Sequence, residues 1–403
     1  MTFNTTLKAS MLALMTSVAV PAIADTDVSH NWNSDNEAEA MRVFRDKYVS
    51  MGGEWKDTSF PDSEPNISSV KTRFIGGTPP MAMQSTLGGA MREFAEGGLL
   101  QDMNAVAEEG NWAANVTASM AETGKFDGTW VAAPVFVDVI NWMYTNNDVL
   151  AAAGVEAPNT WDEFKAALPK LKEAGFTPLA VGGQSWQEGI LFDQVLLATG
   201  GAALYDGVMS GDAEVLNSDT LLKAIEEMGS LREFTDEGKA GRSWNDTNTL
   251  MLSGKAGFFF MGPWAAGGYS DMGPEGGKWS CRLTPWDNGL TVVADGFQFI
   301  AVEDDADKTA QALFANAVMD PATQIAAAKA KGTLPATNKA VASDFEGCPA
   351  KAVAAMGSGE AVTHWNGRNA DVGNAIKDNI SAYWNGSIDA ATAQANMVAA
   401  LAK

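Results

Sequence analysis

The sequence predicts an α/β protein built from two lobes. Segments typical of β-strands, rich in valine, isoleucine and phenylalanine, alternate along the chain with segments typical of helices. The chain has 403 residues, which is more than a single hydrophobic core usually serves. Hydrophobic residues make up 46% of the sequence, as in an ordinary globular protein, so there is enough apolar material for two cores.

Residues 1–24 have the pattern of a secretory signal peptide. A single cation, Lys8, precedes an apolar run over Met11–Val20, and small residues mark a cleavage site at Pro21–Ala24. The apolar run is too short to span a bilayer as a retained helix. No cysteine lies near the cleavage site to carry a lipid. We therefore expect a soluble protein exported to the periplasm, with its mature chain beginning near Asp25.

Two capping patterns mark the starts of helices. Ser34 and Glu37 have the spacing of a capping box, and Thr160–Glu163 repeats it. Pro169 should kink or divide the second of these helices. Other helical patterns fall at about 89–96, 187–199, 220–234 and 246–254, and over most of the chain from 303 to 403.

The predicted strands are short apolar runs bounded by glycine or proline turns. They lie at 81–84, 129–135, 137–144, 176–181, 257–261 and 295–302. Because these runs alternate with the helical patterns, they favour an α/β architecture over separate all-α and all-β domains.

The charge balance argues against some classes of partner. The formal net charge is −23, which disfavours nucleic acids and acidic membranes. Solubility or adaptation to salt explains this charge more simply than exclusion of anionic ligands does.

The few cysteines and histidines limit the chemistry. Two cysteines in an exported chain favour a disulfide between Cys281 and Cys348 over two free thiols. The only histidines are His30 and His364, which excludes a histidine-rich metal site and argues against a closed Cys/His zinc site. We expect no metal and no cofactor.

Several blocks of sequence, in order along the chain, resemble one family. They are WMYTNNDVL at 142–150, TWDEF at 160–164, TPLAVGGQSWQ at 177–187, SGKAG at 253–257, MGPW at 261–264 and KGTLP at 331–335. In these blocks the chain resembles the extracellular solute-binding proteins of family 1, which serve bacterial ABC transporters. The four blocks from residue 177 onward are also similar to the glucose/mannose-type sugar-binding branch of this family.

The resemblance implies a two-lobe periplasmic binding protein fold with an interlobe cleft and a hinge. Lobe 1 would combine residues 25–135 and 284–320, and lobe 2 would combine 136–283 and 321–403. The chain would cross between lobes near Ala133–Val137, Cys281–Pro285 and Met319–Thr323. The lobes would close around a ligand by a hinge motion, and an ABC permease would recognise the closed form.

A sugar presents apolar C–H faces and hydroxyl groups, so its site needs aromatic surfaces and charged or amide groups. The chain has 13 tryptophans and only 5 tyrosines, which fits that chemistry. The resemblance implies these ligand-binding residues: Asn31, Trp32, Glu37, Thr86, Trp264, Asp295, Lys331, His364 and Trp365.

The resemblance also implies their roles. Trp32 and Trp264 would stack on the sugar, Glu37 and Asp295 would accept hydrogen bonds from hydroxyls, and Lys331 would donate one. Each role has a structural alternative: core packing for Trp32, helix capping for Glu37, a strand-start turn for Asp295 and a solvated helix end for Lys331.

Other residues have weaker support as contacts. Gln184 and Trp186 are expected to join the lobes or to pack, and His30 to belong to a buried strand. Asn31 stands where glucose-binding relatives often have a second tryptophan, and Thr86 stands near where they often have a lysine. These departures favour another monosaccharide, a glycoside or a short oligosaccharide over glucose itself.

We therefore predict a non-enzymatic sugar-binding component of an ABC importer, monomeric, with a neutral sugar as ligand. A secreted glycoside hydrolase is the alternative, because an aromatic cleft with two suitably spaced carboxylates also describes such an enzyme. No Ser/His/Asp or Cys/His triad pattern is present. A sugar-sensing partner of a membrane receptor would use the same cleft.

Overall fold

The computed structural model describes residues 26–284, 289–356, 361–363 and 370–401. The strands along these residues are β1 Thr26–His30, β2 Trp55–Ser59, β3 Ala82–Thr86, β4 Lys125–Phe126, β5 Thr129–Trp130, β6 Ala132–Val139, β7 Trp142–Asn146, β8 Thr177–Ala180, β9 Ala256–Met261, β10 Trp279–Leu283, β11 Leu290–Phe299, β12 Leu334–Pro335 and β13 Ala361–Thr363.

Helices connect and cover these strands. They are α1 Asp35–Ser50, α2 Ser63–Ile75, α3 Gly89–Glu96, α4 Asn104–Glu109, α5 Trp112–Asn115, α6 Ala118–Thr123, α7 Asn147–Ala152, α8 Trp161–Glu173, α9 Ser185–Ser210, α10 Ala213–Leu216, α11 Asp219–Ser230, α12 Trp244–Leu252, α13 Asp305–Val318, α14 Pro321–Lys331, α15 Gly347–Met356, α16 Ala370–Trp384 and α17 Ala390–Leu401. Short 3-10 segments lie at Leu231–Phe234, Glu237–Lys239, Pro263–Met272 and Ala342–Asp344. Within the described ranges, no helix is both long and apolar enough to cross a membrane.

Both predicted capping patterns start helices. Ser34 and Glu37 form a reciprocal capping box at the start of α1. The Thr160 hydroxyl accepts the Glu163 backbone N–H at 3.1 Å at the start of α8. Pro169 does not divide α8, which continues to Glu173. Leucine and phenylalanine side chains of α8 are buried on both sides of the proline, and this packing outweighs the missing hydrogen bond.

Lobe one is built on a seven-stranded mixed sheet. Its spatial order is β12-β6-β11-β3-β1-β2, with β13 beside β11. Strand β1 runs parallel to β2 and β3, whereas β11 runs antiparallel to β3 and β6. Helices α1, α13 and α14 pack together on this lobe. Its core contains Phe44, Phe136, Phe297 and Phe314.

Lobe two is built on a smaller sheet. Its four strands have the order β10-β7-β9-β8, in which only β8 and β9 run parallel. Helices α9, α11, α16 and α17 pack on one another beside it. Its core contains Trp142, Phe164, Phe192 and Phe258. Two sheets with their own cores and covering helices make the α/β fold with two lobes.

The first two passages between the lobes follow β6 and β10. Strand β6 remains paired with β11 as far as Val139, and β7 begins the sheet of lobe two at Trp142. The predicted limit of lobe one at residue 135 therefore falls inside a strand. The return passage lies between Leu283, the last residue of β10, and Leu290, the first of β11.

The predicted assignment of 321–403 to lobe two is wrong for its first part. Helix α14 packs on α1, and β12 pairs antiparallel with β6, so both elements belong to lobe one. Ala327 and Ala328 are fully buried, which shows that α14 is an inner helix of that lobe. The chain first reaches lobe two with α15, which packs against β10, and β13 then pairs with β11 in the sheet of lobe one.

The predicted disulfide is present. Cys281 and Cys348 are joined with an S–S distance of 2.08 Å, across a sequence separation of 67 residues. The bond links β10 to the start of α15. It therefore fixes α15 to the sheet of lobe two soon after the chain leaves lobe one.

Candidate functional site

A cleft of about 550 Å³ lies between the two lobes. Lobe one lines it with residues that follow β1, start α1 or end α14, and with residues of β3, β6 and β11. Lobe two lines it with residues at the start of α9 and after β9. Residues at the start of α2 and on α16 complete the lining. The cleft is thus assembled from distant parts of the sequence.

Lys331 is a buried cation in the lobe-one wall of the cleft. Its side chain is 1% exposed, and Nζ lies 3.0 Å from Asp138 Oδ2 and 3.3 Å from Asp295 Oδ2. The Thr333 hydroxyl donates to the other oxygen of Asp138. Because two carboxylates share the ammonium, the charge of Lys331 is stabilised despite its burial.

The carboxylate of Asp295, on β11, has its acceptor positions occupied. Oδ1 accepts Gln84 Nε2 at 2.9 Å and the Gly296 backbone N–H at 3.0 Å. Oδ2 accepts Lys331 Nζ and Trp32 Nε1, each at 3.3 Å. A carboxylate offers about four lone-pair positions. In this conformation Asp295 therefore holds the surrounding donors in place and has no position left for a ligand.

A β-bulge sets the direction of Asp295. The pairing of β11 with β6 shifts register between Asp295 and Gly296. A Cβ atom at Gly296 would lie 2.2 Å from the Ala133 carbonyl oxygen, so only glycine fits this close approach of two strands. The bulge explains how one residue of a regular strand reaches into the cleft.

Glu37 combines the two roles that the sequence suggested. Its Oε2 accepts the Ser34 hydroxyl at 2.6 Å and the Ser34 backbone N–H at 3.3 Å. Among the described residues, no side chain or backbone group donates to Oε1. Glu37 is only 7% exposed and lines the cleft. Its capping role uses one oxygen, and the other remains as an acceptor at the cleft.

Burial changes the proton affinity of these groups. Burial raises the pKa of Glu37, against the opposing effects of Lys331 and Ser34. Burial also raises the pKa of Asp295, with Lys331 opposing and Asp138 adding to the rise. Burial alone would lower the pKa of Lys331, but the carboxylates of Asp138, Asp295 and Glu37 raise it. The lysine therefore stays charged over the whole physiological range.

Trp32 lies mostly in the core of lobe one. Its ring centroid is 5.2 Å from that of Phe136, 5.5 Å from Phe297 and 6.3 Å from Phe44. Lys331 Nζ lies 5.0 Å from the Trp32 ring. Trp32 lines the cleft but is only 2% exposed, so it offers a ligand no more than an edge here. Core packing, the alternative to stacking, accounts for most of its surface.

The lobe-two wall carries Trp264 and Trp186. Their ring centroids are 6.3 Å apart with planes inclined at 60°. Both indole N–H groups are buried without an acceptor among the described residues. A Cβ atom at Gly262 would meet the Trp264 ring, so glycine allows the ring to fold back after β9. The Asn36 amide donates to the Trp264 carbonyl at 3.1 Å, which joins this wall to α1.

Two polar contacts connect the lobes at the sides of the cleft. Gln184 Nε2, at the start of α9, donates to Asp62 Oδ2 at 2.6 Å. Lys377 Nζ, on α16, lies 2.9 Å from Glu64 Oε1. The acids precede or start α2 of lobe one, and their partners belong to lobe two. Together with the bond from Asn36, these contacts join the two lobes across the cleft.

Asn31 and Thr86 also line the cleft. The Asn31 backbone N–H donates to Gln84 Oε1 at 3.2 Å, whereas Asn31 Oδ1 is buried and has no donor among the described residues. Thr86 is the residue of β3 directly opposite Asp295 of β11. Both residues thus stand beside the carboxylates of the lobe-one wall.

The histidine predictions have different outcomes. His364 and Trp365 lie outside the described residues. His30 is buried on β1, where its Nε2 lies 3.1 Å from Asp57 Oδ2, and burial lowers its pKa. Among the described residues, no group of three or more side chains is arranged to hold a metal ion.

Sequence reasoning missed Asp138 and Gln84 as residues of the cleft. Asp138 is buried in β6 between valines, and Gln84 is buried in β3 after two methionines and an alanine. A polar residue inside an apolar strand needs a buried partner. That signal was present in both predicted strands and would have identified them as candidates.

Two α/β lobes that meet around a cleft lined by aromatic rings and carboxylates define a two-lobed ligand-binding protein. The profile of the bacterial extracellular solute-binding protein family matches residues 54–325. This chain belongs to that family.

Similar proteins cover nearly the whole chain. A "Probable sugar-binding periplasmic protein" of Brucella suis biovar 1 is 33% identical over 388 residues, covering 94% of this chain and 92% of its own. A protein with the same description from Rhizobium meliloti is 32% identical over 410 residues, covering 99% and 98%.

Solved structures share the fold. A chitin oligosaccharide binding protein superposes with a TM-score of 0.81 at 20% identity, covering 94% of this chain and 98% of its own. Maltose-bound MalE3 of T. maritima superposes with a TM-score of 0.77 at 20% identity, covering 94% and 99%. At this level of identity the two structures support the two-lobe fold and nothing finer.

Proposed function

We propose that this chain is the periplasmic sugar-binding component of an ABC importer. Its membership of the extracellular solute-binding protein family and the sugar-binding, periplasmic descriptions of its relatives support the proposal. In this function the protein binds a sugar between its lobes and delivers it to the membrane permease. No bond of the sugar is made or broken.

The observation that carries this proposal is the chemistry of the closed cleft. Trp264 and Trp186 supply aromatic surface and two unsatisfied N–H donors from lobe two. Glu37 and Asn31 supply unsatisfied oxygens from lobe one. A pyranose has apolar C–H faces and hydroxyls that both donate and accept, so it complements both walls at once. Neither wall alone offers this set.

Closure holds the ligand and opening releases it. In the closed form, the contacts of Gln184 with Asp62 and of Lys377 with Glu64 span the lobes. We infer that the lobes rotate apart in a hinge motion, with the chain segments after β6 and after β10 as the hinge. Opening would break these polar contacts and return the ligand to water. Before this release, the permease would recognise the closed form by its shape.

The finer predictions belong to this proposal. The ligand is a monosaccharide or a small glycoside, and neutral hexoses are the first candidates. The 550 Å³ cleft falls within the range of roughly 300–1,000 Å³ found for small-molecule sites. The glucose/mannose-type branch remains a prediction, as does a monomeric state, which light scattering coupled to size-exclusion chromatography would measure.

The roles of individual residues are also proposals. Glu37, Asn31 and Trp264 have open polar atoms or aromatic surface at the cleft. Trp32, Asp295 and Lys331 are engaged with one another, so they act by positioning, and Thr86 shapes the wall beside them. His364 and Trp365 are proposed from the resemblance alone.

The family of this chain consists of solute-binding proteins, and none of the described residues of the site favours the hydrolase alternative. A titration distinguishes the two. Purified protein is titrated with a panel of neutral sugars while tryptophan fluorescence and melting temperature are recorded, and the sugars are then recovered and chromatographed. We expect a ligand-linked rise in melting temperature and an unchanged sugar. Hydrolysis products, or no response to any sugar, would contradict the proposal.

A further inference from the structure

Among the residues that the structure describes, the charges of the lobe-one wall do not balance. Glu37, Asp138 and Asp295 are carboxylates, and Lys331 is the cation that contacts this cluster among the described residues. Their exposed fractions are 7%, 2%, 6% and 1% respectively. Three negative charges and one positive charge leave a formal charge of −2 in a closed, buried cluster. Uncompensated buried charge is strongly unfavourable, so a compensating positive charge is favoured there.

Lys331 cannot supply more compensation than it already does. Its ammonium is bound by Asp138 at 3.0 Å and by Asp295 at 3.3 Å. Lys377, the other lysine that lines the cleft, is paired with Glu64 on α2. Of the described cations at the cleft, none is therefore available to Glu37. Glu37 itself lines the cleft.

Two acceptor atoms in the lobe-one wall lack a donor. Glu37 Oε1 has no donor among the described residues, and the same is true of the buried Asn31 Oδ1. Asp295 already accepts four hydrogen bonds. The open donors, the indole N–H groups of Trp186 and Trp264, lie on lobe two. A ligand group with several hydrogen-bond donors complements the two acceptors of lobe one, and an ammonium is such a group.

The geometry points to a ligand that is an amino sugar, whose ammonium binds Glu37 in place of a hydroxyl group. This inference rests on the proposed function, and it replaces the neutral sugar expected there with a sugar that carries one positive charge. An ammonium–carboxylate contact is stronger than a hydroxyl–carboxylate contact by its charge, most of all in a closed cleft. A sugar that carries a carboxylate or phosphate meets the same cluster as a like charge and is disfavoured.

Matched pairs of sugars test this inference. Glucose and glucosamine, galactose and galactosamine, and mannose and mannosamine are titrated by calorimetry at pH 7 in low salt. N-Acetylglucosamine keeps the nitrogen without its charge, and glucuronate carries the opposite charge. In the configuration that binds best, we expect the amino sugar to bind about tenfold more tightly than its hydroxyl counterpart, the gain of one charge-assisted contact. N-Acetylglucosamine and glucuronate should show no such gain.

Two variants locate the preference. In Glu37→Gln the amide oxygen still accepts from Ser34, so the capping box is kept while the charge is removed. We expect the affinity ratio between amino and hydroxyl sugars to fall to about one, because only the charged contact distinguished them. Glu93→Gln is the matched control, because Glu93 lines the same cleft but is paired with Lys71 at 2.5 Å. It should keep the ratio of the parent protein.

Each outcome decides the question. If hydroxyl sugars bind and the amino sugars bind no more tightly in any pair, this inference is wrong and the proposed function stands. If the ratio survives in Glu37→Gln, the ammonium does not bind Glu37 and the inference is equally wrong. If none of the sugars binds, the proposed function fails first and the inference fails with it.

Discussion

Replacing Lys331 by methionine tests the centre of the lobe-one wall. Methionine keeps a flexible apolar side chain of similar length and removes only the ammonium. Asp138 and Asp295, which lie 3.0 and 3.3 Å from Nζ, would then face each other without the cation. The perturbation is therefore electrostatic rather than a loss of packing.

The expected loss follows from the burial of the three groups. All are at least nine-tenths buried, and removing one partner of a buried ion pair destabilises by about 3–5 kcal/mol. We therefore expect the free energy of unfolding of Lys331→Met to fall by about 3–5 kcal/mol at pH 7.5.

The loss should depend on pH, and its sign can be worked out. The folded-state pKa of Lys331 lies above its unfolded value, so its stabilising charge is fully present throughout the range below pH 8. The pKa of Asp295 is raised by burial although Lys331 opposes the rise. Without the lysine this pKa rises further, so Asp295 becomes protonated more readily as the pH falls. The deficit of the variant should therefore shrink from pH 7.5 to pH 5.

Urea unfolding followed by circular dichroism measures these free energies at both pH values, with the disulfide left oxidised. Lys329→Met is the matched control, because Lys329 lies two residues earlier on α14, its side chain is 48% exposed, and its contact with Asp344 is 4.0 Å long. An exposed pair of this kind contributes about 0–1 kcal/mol. A deficit below about 1 kcal/mol for Lys331→Met at pH 7.5, or an equal deficit at both pH values, would refute the reasoning.

Three further predictions concern the cleft and the disulfide. Gln184→Ala removes the 2.6 Å hydrogen bond to Asp62 between the lobes, which contributes about 1 kcal/mol. The rate constant of ligand dissociation, measured by stopped-flow fluorescence, should therefore rise about fivefold, and an unchanged rate constant would contradict a closing role. Trp264→Ala should weaken sugar binding by roughly 1–3 kcal/mol in calorimetry, and parental affinity would remove Trp264 from the site. Reducing Cys281–Cys348, which are 67 residues apart, should lower the free energy of unfolding by about 4 kcal/mol, measured in urea with and without dithiothreitol; a negligible change would contradict the chain-entropy account.

Local patterns in the sequence were sufficient for much of the fold. The capping box at Ser34 and Glu37 depends on residues three positions apart, and it starts α1 as predicted. The alternation of apolar runs with helical patterns identified the α/β class. The export pattern with only two cysteines identified the pair Cys281 and Cys348. In each case the deciding interaction is local or has only one possible partner.

Assignment of elements to lobes needed information that local patterns do not carry. The apolar face of helix α14 is compatible with packing on the sheet of either lobe, and the sequence alone does not say which sheet the helix covers. In the structure it packs on α1, and β12 becomes the edge strand beside β6. The predicted crossing at Met319–Thr323 placed the boundary before these elements. The pairing of a two-residue strand with a strand that is distant in sequence is determined by tertiary packing, not by the local sequence.

The site shows the same division at the level of single atoms. The sequence identified Lys331 and Asp295 as charged residues of a cleft, but not that Asp138 lies nearer to Lys331 than Asp295 does. Which lone pairs remain open depends on this third carboxylate. Lys331 donates to Asp138 as well as to Asp295, and Gln84 and Trp32 also donate to Asp295. Among the described carboxylates of the cluster, Glu37 is therefore the one with an oxygen that lacks a donor. Lys331, which the resemblance assigned to a sugar hydroxyl, is thus bound by two carboxylates of the protein, and within the described part of the chain the Oε1 atom of Glu37 is left to accept a donor from the ligand.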